Sequence, residues 1–193
     1  MNPKPAELLS QFASGDADAG PDLLRAYVPA IEALALAGTL NTEGAEEVVA
    51  ATVQDVLAHL SEAGNTAELL ALVEESARTK IHEWVQAGEG KSTEIVAIPA
   101  EVAERARGKG LDLARVFGDV PAERSAWMLL EAASWLPARY QTPFLLRYLS
   151  GKNYREIAEL SGSDPTRVAS DLEAARRLYE RELTFYLQKQ AKK

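Results

Sequence analysis

The chain has no cysteine, which excludes a disulfide framework, a thiolate metal centre and a cysteine nucleophile. Its two histidines, His59 and His82, fall on separate helical segments without the spacing of a metal-ligand pair. β-Branched runs are scarce, and the one strand-like stretch, Thr93-Glu94-Ile95-Val96-Ala97-Ile98, is short. No apolar run approaches the roughly 20 residues needed to cross a bilayer. The N-terminus, MNPKPAELLS, lacks the basic start and apolar h-region of a signal peptide, so a cytoplasmic location is expected. There is no Gly-x-Ser-x-Gly elbow, and the adjacent Glu74 and Glu75 point to different sides of a helix rather than forming an acid–base pair. The expectation is a protein that binds rather than catalyses, with no cofactor, no metal and no small-molecule substrate. Positive charge is scarce in one place only. Residues 1–88 carry four basic side chains against fourteen acidic ones, the remainder seventeen against fifteen. Such a front half repels phosphate and suits a basic protein partner.

What is present is 47% hydrophobic content over 193 residues, dominated by Ala, Leu and Glu. The composition predicts an all-α fold. Residues 5–36 read as two helices around Ser14-Gly15-Asp16, the first with Leu8, Leu9 and Phe12 on one face, the second, from Asp22, with Leu23, Leu24, Tyr27, Ile31 and Leu34 at helical spacing. A third helix, Glu43–Leu60, is expected to bury Val48, Val49, Val53, Val56, Leu57 and Leu60. A fourth, from Thr66 to about Gln86, is expected to bury Leu69, Leu70, Val73, Ala77, Ile81 and Trp84. Glycines and Pro99 then interrupt the pattern over 88–120. Gly88-Glu89-Gly90-Lys91-Ser92-Thr93 resembles a phosphate loop only superficially, because Val85 stands where that loop needs glycine and a helix, not a strand, leads in. Ala100–Phe117 can form one amphipathic helix weakened by Gly108 and Gly110. The organisation expected is two small helical domains, 1–87 and 121–193, joined by a flexible linker at 88–120.

The most informative stretch is 136–183. A short helix, Tyr154–Leu160, runs into Ser161-Gly162-Ser163, and a longer helix opens at Asp164-Pro165. Asp accepts free first-turn N–H groups, Pro suits the first helical position, and Gly162 supplies the backbone angle of the corner. Ala158, Gly162 and Val168 occupy the close-approach, turn and buried positions of a helix-turn-helix. Trp127, Met128, Leu130 and Trp135 are expected in the core of this domain. Tyr179, Leu183, Tyr186 and Leu187 form an apolar face on the distal half of the last helix, for that core or for a partner.

Over Leu136-Pro137, Phe144-Leu145-Leu146-Arg147-Tyr148-Leu149, Gly151, Tyr154-Arg155-Glu156-Ile157-Ala158-Glu159, Gly162, Val168, Ser170, Leu172 and Ala175-Arg176-Arg177, the chain resembles region 4 of sigma-70 family factors, most closely the small extracytoplasmic-function (ECF) type. Residues 5–86 also resemble sigma region 2. There Gly44-Ala45-Glu46-Glu47-Val48-Val49 keeps the acidic pair of the polymerase-docking helix, while Ala50 and Ala51 replace a Gln and a Glu.

The resemblance implies core RNA polymerase, promoter DNA and an anti-sigma protein as partners. It points to Glu46, Glu47 and Asp55 for polymerase, and to Arg78 and Lys80 for the opened promoter strand. At the helix-turn-helix, Arg167 is the candidate for a base edge, with Thr166 and Ser170 reaching bases or phosphates. Lys152, Arg155, Arg176 and Arg177 are candidates for phosphate. The chain departs from the family at Ala169, Asp171 and Glu173, which remove positive charge and add negative charge on the reading helix. Isolated DNA affinity is therefore expected to be poor. Two rivals stand beside a sigma factor: a sigma mimic or adaptor whose DNA faces have decayed, and a helical DNA-binding regulator in which residues 1–86 dimerise.

Overall fold

The computed structural model describes residues 3–87, 100–111 and 122–190. The phosphate-loop-like and strand-like stretches at 88–98 lie outside these residues, as do the side chains of Trp127, Tyr186 and Leu187. The described chain is all-α: α1 (Pro5–Ala13), α2 (Ala19–Thr39), α3 (Thr42–His59), a 3-10 turn (Leu60–Glu62), α4 (Thr66–Gln86), α5 (Ala100–Gly108), α6 (Ala122–Ser134), α7 (Ala138–Tyr148), α8 (Tyr154–Ser161) and α9 (Pro165–Gln190).

Local chemistry sets the helix boundaries. Asn41 and Asn65 start α3 and α4 by accepting the amides of Gly44 and Glu68 through their side chains. Asn153 opens α8 with a full capping box, taking the amides of Arg155 and Glu156 while Glu156 takes that of Asn153. The α5 helix ends earlier than the 100–117 span read from sequence. Gly110 turns left-handed (φ 92°), and the Leu111 amide bonds back to the Ala106 carbonyl (3.0 Å), closing the helix in a Schellman-type bond.

α1 to α4 form the front of the molecule. α2 packs on α1, α3 and α4, and α3 packs on α4. Leu23, Leu24, Tyr27, Ile31, Leu34, Val48, Val56, Leu60, Leu69, Leu70, Val73, Ala77 and Trp84 are all buried there, as the spacing predicts. The Trp84 indole lies against Gly44, where an alanine Cβ would come within 2.9 Å of three ring atoms. Leu57 does not join this core and is 42% exposed. Val48, Thr52 and Val56 make the buried stripe of α3, and Leu57 stands one residue off it.

α5 to α9 form the rear. α9 packs on α6, α7 and α8, and Phe144 stacks against Tyr148 and Tyr179 (centroids 4.6 and 4.9 Å). α5 packs on α6 and α7, and Arg105 donates to the Leu149 carbonyl (2.5 Å). Trp135 is exposed rather than buried, because at the α6–α7 corner its neighbour Leu136 takes the inward position. Front and rear are in contact: α2 packs on α6 and α7, and α8 on α1 and α4. One hydrophobic cluster runs from Leu8 to Leu183 through both.

Two fully buried tyrosines differ in a way that can be measured. The Tyr27 hydroxyl donates to the Leu160 carbonyl (3.0 Å), one of the last-turn carbonyls of α8 that no intrahelical amide can reach. The Tyr179 hydroxyl is buried without a hydrogen-bond partner among the described residues. Burial pushes both phenols well above their ordinary value. Removing a bonded hydroxyl strands its acceptor, whereas removing an unbonded one relieves a desolvation penalty. Tyr27→Phe should therefore destabilise by about 1 to 2 kcal/mol and Tyr179→Phe should be neutral or stabilising by about 1 kcal/mol. Urea unfolding midpoints of the two variants, read at unchanged m-value, check the opposite signs.

Candidate nucleic-acid interface

α8, its turn and α9 form the bihelical corner read from sequence. Gly162 takes the left-handed conformation (φ 60°), and the Ser163 amide returns to the Ala158 carbonyl (3.0 Å). Asp164 caps α9 by accepting the Thr166 amide at 2.7 Å, and these bonds hold its carboxyl below the ordinary carboxylate range. Ile157, Ala158, Leu160, Val168, Leu172 and Ala175 are buried, fixing the two helices against each other. Thr166, Arg167 and Ser170 are exposed along the first turns of α9, on the side free of that packing.

The cations of this corner are mostly engaged by carboxylates three or four residues away in the chain. Arg167 lies 3.8 Å from Asp171, and Lys152 the same distance from Glu156. Glu173 holds two guanidiniums, Arg176 at 3.0 Å and Arg177 at 3.1 Å, and Arg176 also reaches Glu180 at 3.6 Å. Those hydrogen bonds hold the Glu173 carboxyl down and push Arg176 up. Arg155 stands exposed on the first turn of α8. Residues 152–177 carry five basic and five acidic side chains, so the corner is neutral overall. Exposed intrahelical pairs are worth only about 0.3–0.5 kcal/mol each, so phosphate can displace the carboxylate. The carboxylate nevertheless remains beside the phosphate and repels it.

The other candidates lie on the front helices. Arg78 pairs with Glu74 (3.2 Å) and lines a groove between α4 and the α6–α7 corner, together with Leu34, Ile81 and Gln141. Lys80 pairs with Glu83 (3.0 Å). Glu46 rims an apolar groove of about 350 Å³ between α2 and α3, floored by Leu36, Ala45 and Val49, with Glu32 on the opposite wall. Glu47 is exposed, and Asp55 lies one helical turn before His59, whose ring meets the Asp55 carbonyl at 2.8 Å. The bonds and contacts that seat the rear on the front were invisible in sequence. Tyr27 and Leu160 are separated by 133 positions, and no local pattern announces such a bond.

Residues 126–178 match the family model of sigma-70, region 4. The match begins inside α6, takes in α7, α8 and the corner, and ends halfway along α9. No curated protein is matched by the chain. Among the described residues no group of three or more His, Asp or Glu side chains is poised to hold a metal ion, and no helix is long and apolar enough to cross a membrane.

The Asp164 cap gives a test of how the reading helix is held. Its carboxyl is depressed in the folded chain, so its contribution is present above the unfolded value of 3.8 and is lost as pH falls through the folded one. Asp164→Ala should lower hydrogen-exchange protection of the Thr166 amide at neutral pH. Asp164→Asn, which keeps an accepting oxygen, should retain most of it and lose the acid dependence. Unchanged protection in the alanine variant at pH 7 would show that α9 starts without its cap.

Proposed function

We propose that the protein is an ECF-type sigma factor. It binds core RNA polymerase, directs it to promoters for transcription initiation, and is held in check by an anti-sigma protein. The observation that carries this reading is the region 4 match over 126–178, together with the capped corner inside it. In this reading residues 1–87 are a region 2-like domain and 121–193 a region 4-like one. Thr166, Arg167 and Ser170 meet base edges, and Lys152, Arg155, Arg176 and Arg177 grip phosphate. On the front helices, Arg78 and Lys80 serve the opened strand. Glu46, Glu47 and Asp55 offer an acidic, partly apolar surface for a basic helix of polymerase, supported by the groove between α2 and α3.

A second reading has one specific observation in its favour. The neutral corner, with Glu173 holding both Arg176 and Arg177, suits a sigma-like adaptor that binds an anti-sigma factor or another regulator without reading DNA.

Capture of core polymerase by the tagged protein separates the two readings, with promoter-containing DNA scored for a shift in the presence of polymerase. Capture with a shift supports the sigma factor. Tight binding of another regulator, without polymerase and without a shift, supports the adaptor. Asp171→Asn combined with Glu173→Gln releases up to three guanidiniums to phosphate. Its DNA affinity should rise at low salt, and the slope of log affinity against log salt should steepen by roughly one unit for each new phosphate contact. Fluorescence anisotropy across a salt series reads both effects, and an unchanged slope would mean that these arginines do not face the duplex.

A further inference from the structure

The groove that Arg78 lines has a volume of about 400 Å³, within the range of about 300 to 1,000 Å³ that small-molecule sites occupy. α2 and α4 form one side of it and the α6–α7 corner the other. Leu34, Ile81, Val85 and Leu145 make its walls apolar, and small residues keep it open. Gly38 is one of these: a Cβ there would lie 2.7 Å from two carbons of the Ile81 side chain, so a larger residue would drive Ile81 from its place on the wall.

The polar groups of the cleft are of two kinds. On the rear side they are satisfied within the chain. The Ser134 hydroxyl donates to the Glu131 carbonyl (2.6 Å), and the Gln141 amide nitrogen donates to the Ser134 and Leu136 carbonyls (3.0 and 2.9 Å). On the front side, Arg78 and His82 stand one helical turn apart on α4 with donors to offer. Arg78 is engaged by Glu74 (3.2 Å) through one terminal nitrogen, and His82 has no hydrogen-bond partner among the described residues. No Asp or Glu is among the described residues that line the cleft. In a front half with fourteen acidic side chains against four basic ones, that sets it apart. The groove between α2 and α3 carries Glu32 and Glu46, and the one between α1, α2 and α8 carries Asp22, Glu156 and Glu159. An apolar hollow with a guanidinium and an imidazole on one wall, and no carboxylate, is complementary to a small molecule with an apolar body and one negative end.

We infer that this cleft binds a small amphipathic monocarboxylate. The hydrocarbon body lies between α2, α4 and α7, and the carboxylate meets the Arg78 fork with His82 beside it. Planar guanidinium and carboxylate pair through two parallel hydrogen bonds, and the single Glu74 contact leaves most of the Arg78 donors open to that pairing. Glu74 opposes the ligand without blocking it, because its charge stands next to the arriving carboxylate. The ligand touches front and rear helices together, so its binding stabilises the folded chain. Arg78 is also a candidate for the opened promoter strand, so the site is tested without DNA or polymerase, and its fate is separate from that of the sigma-factor reading.

Octanoate is the probe, with octylamine and octanol as matched chains of opposite and of no charge. In amide correlation spectra of the whole chain, octanoate should give saturable shifts at one-to-one stoichiometry, centred on Ile81, His82, Ser134 and Gln141. Octylamine and octanol should bind about tenfold more weakly or worse, the factor expected when one charge-assisted contact is lost. Arg78→Met, which keeps an apolar stem, should weaken octanoate about tenfold and leave octanol unchanged, a split that a merely unfolded cleft would not give. Glu74→Gln frees the guanidinium and should tighten octanoate about twofold. Ala138→Phe, at an exposed position in the first turn of α7, fills the cleft and should abolish binding with the helical circular dichroism intact.

Shifts that scatter over the surface or fail to saturate would overturn the site. Octanol binding as tightly as octanoate, or an octanoate affinity unchanged in Arg78→Met, would overturn the anionic ligand. Full binding in Ala138→Phe would overturn the cleft as its place.

Discussion

Helix α2 is packed on both flanks, and the placement of everything else follows from that. Twelve of its 21 residues are buried, more than the single stripe that a surface helix hides. One flank takes α1, α3 and α4, and the other takes α6 and α7. Each large side chain so enclosed, Leu23 or Ile31 for instance, is worth about 1.5 to 3 kcal/mol of transfer free energy. Tyr27 adds direction to this apolar seam. Its ring is fully enclosed and its hydroxyl leaves the seam at one point, where it meets the Leu160 carbonyl at the end of the scaffold helix. The angle at which the helix-turn-helix is presented is thus set by a residue of the opposite half of the chain.

The electrostatics follow a different logic. Sequence charge is divided, with the acidic excess at the front, yet the rear is not the basic surface that a free-standing DNA reader needs. Its cations are spaced three or four residues from carboxylates, the spacing at which helical side chains meet, and the pairs that result are internal. Such pairs add little stability, so fold stability does not account for them. What they change is reach. A guanidinium held by Glu173 offers fewer donors to phosphate, and the carboxylate beside it taxes every contact that forms. A corner of this kind is poorly suited to gripping phosphate by itself, which is compatible with both readings proposed above.

Much of this is legible in the sequence. The all-α class, the corner at Gly162, the Asp164 cap and the buried faces of α2 and α4 are written in local signals: helical periodicity, a turn glycine, a capping aspartate followed by proline. The intrahelical pairs were implicit in spacing alone. Faces were less secure where two apolar residues are adjacent, as at Val56-Leu57 and Trp135-Leu136, because periodicity cannot say which of the two a neighbouring helix will cover. The α5 terminus is not legible in sequence because two glycines so close together both weaken a helix and can close it, and only the left-handed turn at Gly110 decides between those outcomes. The seat of the corner on the front helices could not be read at all. It consists of Tyr27, Ser150 against Pro29, Lys4 against Glu159 and the bare Gly162 against Ala67. Each has an ordinary local explanation, and nothing in one sequence ties Tyr27 to Leu160.

That seat bears on any partner that would use both halves at once. α7, α8 and α9 share the packing of Phe144, Tyr148, Val168, Leu172 and Tyr179, so the corner moves as a unit or not at all. Lifting it from α4 means parting α7 from α2 as well, which exposes aliphatic surface on both. The polar anchors, one tyrosine bond, one serine bond and an exposed Lys4–Glu159 pair, are each worth no more than about 1 to 2 kcal/mol and do not set that cost. The apolar seam does. A partner that holds the protein open must therefore cover the uncovered faces itself. In general, reversing a two-state population from 99 to 1 takes a preference of about 5.5 kcal/mol for the minor form. Charge attraction to the acidic front cannot supply this, because the same charges are displayed in both forms. The differential has to come from apolar contact with α2 and α7, and that requirement makes the α2–α7 seam a stricter criterion for a true partner than the acidic residues that first suggested one.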